Sequence, residues 1–157
     1  MPQKQPAQPD RDCERCPRLR AFLLDNREKY PDWHNAPVDS FGDLNGEILI
    51  AGLAPGLKGA NRTGRPFTGD YAGDLLYDTL LKYGLADGAY KADPEDGLTL
   101  KNCRIANVVR CLPPENKPIG SEVKNCAPFL ISEIETMPNL KIVLALGGLA
   151  HGAVLTV

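Results

Sequence analysis

Residues 47–74 read EILIAGLAPGLKGANRTGRPFTGDYAGD, and this stretch decides the fold. Its first seven residues, from Glu47 to Leu53, are mostly apolar and predict a buried β-strand. The next helix is expected only from Asp74, so about twenty residues rich in glycine, proline and arginine connect the two elements. Connections between a strand and a helix usually take only a few residues, and long ones in compact domains tend to be functional. The sequence therefore predicts a functional loop here.

The length of the chain indicates one domain. A domain of 157 residues buries roughly two thirds of the surface of its unfolded chain, which is enough for an independent core. Residues 1–12 are rich in proline and glutamine and predict a disordered tail, so the domain is expected at 13–157. The sequence contains neither an apolar stretch of membrane-spanning length nor the apolar core of a secretory signal, and we expect a cytoplasmic protein.

The charge of the chain is unevenly distributed. A net charge of −2 excludes a protein that binds nucleic acid through its overall charge. Lys58, Arg62 and Arg65 nevertheless lie in the long loop without an acidic residue between them. This local excess of positive charge is consistent with an anionic partner near the loop, although loop cations can also be merely solvated.

The apolar pattern predicts alternating strands and helices. Helices are expected at 18–29, 74–83 and 121–137 and from Gly148, and strands at 47–53, 104–110 and 141–147. This alternation specifies an α/β fold with a small parallel sheet. The continuous apolar run at 141–147 predicts a strand that is covered on both faces. Ligands of such sheets bind beyond the carboxyl ends of the strands, where we expect three loops to converge, at 53–56, 111–116 and 147–148.

Five cysteines in a chain with no sign of secretion favour metal binding or catalysis over disulfides. Cys13 and Cys16 form a C-x2-C pair, and Cys111 and Cys126 follow the second predicted strand. A structural zinc site usually repeats the tight pair, whereas four thiolates around an iron–sulfur cluster tolerate uneven spacing. Spacing alone leaves a cluster, a zinc ion and unliganded cysteines open. Cys103 precedes a strand and is most simply a small buried residue.

Three longer motifs bring a resemblance to a known family. They are Gly52-Leu-Ala-Pro-Gly56, Asn61-Arg-Thr-Gly-Arg-Pro-Phe-Thr-Gly-Asp70 and Asn107-Val-Val-Arg-Cys-Leu-Pro-Pro-Glu-Asn-Lys-Pro118. With them the chain resembles the iron–sulfur uracil-DNA glycosylases of the type B, or family 5, branch, from Cys13 to about Val154. The resemblance implies a three-layer α/β sandwich and hydrolysis of the bond between uracil and deoxyribose in DNA. It also implies a 4Fe-4S cluster of structural role, held by Cys13, Cys16, Cys111 and Cys126.

The resemblance also gives roles to residues of the loops. Asp70 matches the catalytic aspartate of the branch and is expected to stabilise the sugar cation and to position water. An enzyme that cuts a base from its sugar must take the nucleotide out of the duplex, so it needs a tight pocket with backbone close to the base. The expected substrate-binding residues are Gly52, Leu53, Phe67, Asn107 and Asn116, and the expected phosphate-binding residues are Lys58, Arg62 and Arg65.

The third motif of the family is not found in this sequence. That motif carries a histidine after a further strand and helix, whereas the chain ends at Val157, so His151 is given no role. We therefore expect a C-terminally incomplete domain whose 141–147 strand is an exposed edge. The partner is expected to be uracil-containing DNA, the complete protein a monomer, and no membrane is involved. The alternative is a catalytically impaired iron–sulfur or zinc module that binds nucleic acid.

Overall fold

The computed structural model describes residues 2–157. The helices are α1 (Pro17–Lys29), α2 (Ala60–Thr63), α3 (Tyr71–Lys82), α4 (Gly120–Thr136) and α5 (Gly148–Leu155), with a 3-10 turn at Pro114–Asn116. The strands are β1 (Phe41–Gly42), β2 (Ile48–Gly52), β3 (Ala86–Asp87), β4 (Thr99–Leu100), β5 (Cys103–Asn107) and β6 (Ile142–Ala145). Within residues 2–157, no helix is long and apolar enough to cross a membrane.

The central sheet has four strands in the order β1-β5-β2-β6. β2 runs parallel to both of its neighbours, so that Ile50 lies beside Ile105 and Leu144. β1 pairs antiparallel with the outer side of β5, and β3 and β4 form a separate hairpin. The predicted α/β fold with a small, mostly parallel sheet is confirmed. β1 and the hairpin lie in segments that were expected to be loops, because two-residue strands are too short to show an apolar period.

Helices cover both faces of the sheet, as the three-layer prediction requires. Successive side chains of a strand point to opposite faces, and the neighbours Leu49 and Ile50 accordingly belong to two different apolar clusters. The Leu49 cluster contains residues of α1, α4 and α5. The Ile50 cluster contains residues of α3 and of the β3–β4 hairpin. The carboxyl ends of β2 and β5 therefore open between two helical layers.

The strand β6 is an edge of the sheet. Ile142 and Leu144 are 55% and 48% exposed, whereas Val143 packs into the cluster that contains α5. The prediction that this strand is covered on both faces was thus wrong. The expectation that it is an exposed edge agrees with the structure. The reason is that α5 packs on one side only and, within residues 2–157, no other helix lies over Ile142 and Leu144.

The N-terminal segment lies against the domain. Pro6 and Pro9 are buried. The Gln8 side chain donates to Glu133 Oε1 over 2.9 Å and accepts a hydrogen bond from Arg110 Nη1 over 2.6 Å. The structure here differs from the disordered tail that was expected for residues 1–12. Composition suggested a tail, but Gln8 bonds two buried charged residues, Arg110 and Glu133, that lie more than a hundred residues away in the chain.

Candidate functional site

A cavity of about 500 Å³ opens at the carboxyl ends of β2 and β5. This volume is typical of sites for small ligands. The cavity is lined by the β2–α2 loop, the start of α3, the end of β5 and the 3-10 turn. Two of the three loops expected to converge thus do so, and Gly147 and Gly148 are not among the lining residues. Six predicted residues line the cavity, namely Leu53, Lys58, Phe67, Asp70, Asn107 and Asn116.

Asp70 is held by α3 and by the glycines of the loop. It is the N-cap of α3, and its Oδ1 accepts a hydrogen bond from the Gly73 backbone N–H over 3.0 Å. Its Oδ2 lies so close to the loop that a Cβ added to Gly59 would stand 2.2 Å from it, and one added to Gly56 3.0 Å. The loop backbone therefore lies close to the Asp70 carboxylate, whereas the prediction concerned backbone close to the base. The sequence placed the start of this helix at Asp74 and did not single out Gly59, because both the cap and the close contact depend on the path of the loop.

Phe67 occupies an unusual backbone conformation. Its φ is +54°. Residues other than glycine rarely adopt this backbone conformation, which costs about 1–3 kcal/mol and persists only where the surroundings impose it. The ring lies over Gly52, where an added Cβ would stand 2.5 Å from the ring edge. The Phe67 carbonyl packs on Gly73, where an added Cβ would stand 1.7 Å from the oxygen. Gly52 thus contributes the space that the aromatic ring needs at the cavity wall.

Asn107 places a buried carboxamide at the cavity. The residue is 3% exposed, ends β5 and lies next to Gly52. Among residues 2–157 its Oδ1 finds no hydrogen-bond donor. A buried polar atom without a partner costs free energy that a ligand can recover. Asn116 also lines the cavity, is exposed and has a φ of +58°.

The three predicted phosphate-binding residues separate into two kinds. Lys58 and Arg62 are exposed, and Arg62 Nη2 donates to the Gly69 carbonyl over 3.2 Å. Arg65 differs from the prediction because its side chain is only 5% exposed. Both of its terminal nitrogens bond the carboxylate oxygens of Asp96 over 2.9 Å. A buried guanidinium engaged in this way has no free face for a phosphate, so Arg65 is withdrawn from the phosphate-binding set. Asp96 lies in a loop whose acidic composition gave no sign of this contact.

The four predicted cluster ligands line a second, narrow cavity. Cys13 and Cys16 precede α1, Cys111 follows β5 and Cys126 belongs to α4, and all four are free thiols. Within residues 2–157, no group of three or more His, Cys, Asp or Glu side chains is arranged to hold a metal ion. The fold thus brings two distant parts of the chain, one with Cys13 and Cys16 and one with Cys111 and Cys126, to a single cavity.

The surroundings of Cys16, Cys111 and Cys126 favour the neutral thiol. Burial raises the pKa of Cys16, Cys111 and Cys126, and the neighbouring thiolates raise it further. Arg110 partly opposes this effect at Cys126, because its backbone N–H and its positive charge both lower the pKa of that thiol. A bound metal would replace the protons.

Cys103 and His151 lie outside both cavities. Burial raises the pKa of Cys103 to about 11, and its thiol donates to the Leu85 carbonyl over 3.4 Å. His151 is an exposed residue of α5. The position of Cys103 agrees with the small buried cysteine that the sequence suggested.

Comparison with known proteins adds independent information. The profile of the uracil DNA glycosylase superfamily matches residues 40–157. The chain is 39% identical over 150 residues to the type-5 uracil-DNA glycosylase of Pyrobaculum aerophilum, covering 93% of this chain and 66% of that protein. It is 40% identical over 149 residues to the type-5 enzyme of Thermus thermophilus, covering 91% and 67%. A type-4 uracil-DNA glycosylase of Pyrobaculum aerophilum is 34% identical over 128 residues, covering 80% and 57%. The chain thus spans about two thirds or less of the length of these relatives.

Proposed function

The chain belongs to the uracil DNA glycosylase superfamily, and from that premise we propose that it hydrolyses the N-glycosidic bond of uracil in DNA, as the first step of base-excision repair. One observation supports this proposal above the others. The Asp70 carboxylate and the unpartnered Asn107 carboxamide face one cavity of about 500 Å³. Such a cavity offers an anion for the sugar and a polar partner for the base.

The base is proposed to enter the cavity from an extruded nucleotide. There the Phe67 ring offers a stacking surface, and its place over Gly52 leaves the carboxamide of Asn107 beside it. A carboxamide carries both an acceptor and donors, so Asn107 can pair with an N–H and a carbonyl of the uracil edge. Asn116 is proposed to contact the same base.

Asp70 is proposed to act on the sugar. Breaking the bond leaves positive charge on deoxyribose and negative charge on uracil, so a fixed carboxylate near the sugar stabilises the transition state and can orient the attacking water. The helix cap fixes one carboxylate oxygen, and the other lies over Gly56 and Gly59. The group is therefore oriented before substrate arrives, which removes a cost of reorganisation.

The DNA strand is proposed to contact two exposed cations, of which Lys58 lines the cavity. Lys58 and Arg62 can bond phosphates, which position DNA without reading its sequence. Arg65 takes no part in this contact, because Asp96 holds its guanidinium in the interior. A monomeric state and a cytoplasmic location remain predictions.

The four cysteines are proposed to hold a 4Fe-4S cluster. The donor set fits, since four thiols line one cavity together with the cations of Arg15, Arg20 and Arg110, which offset the negative charge of thiolates. When bound, the cluster would serve as a structural cross-link. The residues it would join belong to the start of α1, the loop after β5 and the middle of α4.

A uracil-containing oligonucleotide tests the proposal. We expect release of uracil and an abasic site, and we expect Asp70→Asn to lower the single-turnover rate by about 100-fold or more. Asp74→Asn is the matched control, because Asp74 is an exposed acid in the first turn of the same helix. Salt-dependent DNA binding without base release would instead favour the impaired nucleic-acid-binding module. Full activity of Asp70→Asn would reject the role of Asp70.

A further inference from the structure

The β3–β4 hairpin loop, residues 88–98, packs on the segment that carries Phe67 and Asp70. Tyr90 in this loop accepts a hydrogen bond from the Gly69 backbone N–H over 3.2 Å. The Tyr90 ring also stacks on Tyr77 of α3, with centroids 4.7 Å apart and planes 17° apart. A loop that reads as a polar, acidic connection in the sequence thus contacts the residue next to the proposed catalytic aspartate.

The hairpin loop itself is anchored by a buried ion pair. The Asp96 side chain is fully buried, and its two oxygens accept hydrogen bonds from the two terminal nitrogens of Arg65. The same carboxylate accepts hydrogen bonds from the backbone N–H groups of Lys91 and Leu98, over 3.0 and 2.9 Å. Asp96 therefore holds the shape of its own loop and at the same time attaches that loop to Arg65.

The contacts hold residues on both sides of Phe67. Arg65 Nε donates to Thr68 Oγ1 over 2.8 Å, and the Tyr77 hydroxyl donates to the Pro66 carbonyl over 2.6 Å. Gly69 in turn donates to Tyr90. A hydrogen bond therefore fixes a side-chain or backbone group of each residue from 65 to 69 other than Phe67. This network accounts for the positive φ of Phe67, since such a conformation persists only where the surroundings impose it.

We propose that Tyr90 is a positioning residue for the glycosylase reaction, acting through the Gly69 backbone on the Asp70 carboxylate. The inference rests on the proposed function for the role of Asp70. The Gly69 backbone is held on both sides, because Tyr90 accepts its N–H and Arg62 donates to its carbonyl. Asp70 follows Gly69 directly, so the direction of the carboxylate depends on how the Gly69 backbone is fixed.

The first test does not depend on activity. Tyr90→Phe removes one hydroxyl and keeps the ring that stacks on Tyr77, and Tyr83→Phe removes the same atom from a side chain that is 69% exposed. We expect amide hydrogen exchange of Gly69, resolved by NMR, to become about 2- to 10-fold faster in Tyr90→Phe, the factor that one hydrogen bond represents. Tyr83→Phe should leave it unchanged. An unchanged Gly69 exchange rate in Tyr90→Phe would overturn the proposal.

The second test separates positioning from general stability. Tyr90→Phe should lower kcat about 2- to 10-fold with KM nearly unchanged, and it should have no further effect in the Asp70→Asn background. An equal loss in both backgrounds would show that Tyr90 does not act through Asp70. A wild-type protein that releases no uracil would overturn the proposed function together with the reaction-specific part of this inference. The Gly69 exchange rate would still decide whether Tyr90 holds the segment.

Discussion

Replacing Gly59 by alanine changes the position of the Asp70 carboxylate without removing its charge. The added Cβ would stand 2.2 Å from Asp70 Oδ2 and 2.8 Å from Cγ, whereas ordinary van der Waals contact begins at 3.4 Å. The carboxylate must therefore move by about 1.2 Å or the loop must open by the same amount. A displacement of about 1 Å at a reacting group can cost 100-fold in rate, so we expect a loss of about that size.

Two further alanine variants turn this expectation into a series. At Gly56 the added Cβ would stand 3.0 Å from the same oxygen, which is tight but requires only a few tenths of an ångström of adjustment. At Gly152 in α5 no atom lies within 4 Å of the added group. The rate loss should therefore be large for Gly59→Ala, smaller for Gly56→Ala and absent for Gly152→Ala.

The assay is single-turnover release of uracil from a labelled oligonucleotide, with alkaline cleavage of the abasic product. Thermal unfolding of each variant shows whether the protein is still folded at the assay temperature. A Gly59→Ala protein that retains the wild-type rate would refute the claim that the glycine loop sets the position of Asp70. A loss in Gly152→Ala equal to that in Gly59→Ala would show that the effect is not local.

Three other perturbations probe the rest of the structure. Asp96→Asn should lower the free energy of unfolding by about 3 kcal/mol at pH 7, because it leaves Arg65 buried without its counter-charge. Arg65 holds the pKa of the Asp96 carboxyl well below its usual 3.8. The difference in unfolding free energy between wild type and Asp96→Asn, measured by urea unfolding, should therefore be complete above pH 3.8 and should shrink as the pH falls below that value. Cys111→Ser should abolish the visible absorption and the iron content of the purified protein, while Cys103→Ser should keep both, and equal iron in the two variants would contradict the ligand assignment. Arg62→Ala should lower the slope of log affinity for DNA against log salt by about one, while Arg65→Lys should destabilise the fold and leave the slope unchanged.

Much of the fold could be predicted because the elements have strong local patterns. The apolar run that contains Leu49 and Ile50 predicted a buried strand, and the spacing around Tyr77 predicted α3. Local patterns gave wrong predictions where the burial of a residue depended on which other elements pack against it. Val143 and Leu144 belong to one apolar run, yet only Val143 packs beneath a helix.

The candidate site shows the same division. The motif around Asp70 predicted its place at the cavity, and the glycines of the loop predicted a close approach of backbone. The sequence did not predict that Asp70 is also the helix cap, or that Gly59 is the residue closest to it. Tyr90 was missed, because a single tyrosine in an acidic loop has no local signature of a contact made 21 residues away.

The sequence by itself determined the order of the longer helices and strands, the long connection after β2 and the residue types available for chemistry, because these properties follow from local apolar periodicity and from composition. Only the tertiary structure decided what each of these residues does. Arg62 and Arg65 lie three positions apart in the segment between β2 and α3, yet the first is exposed and the second is buried against Asp96. The difference arises because desolvating a guanidinium is tolerated only where an opposite charge meets it, and the chain supplies that charge from a segment 31 residues further on.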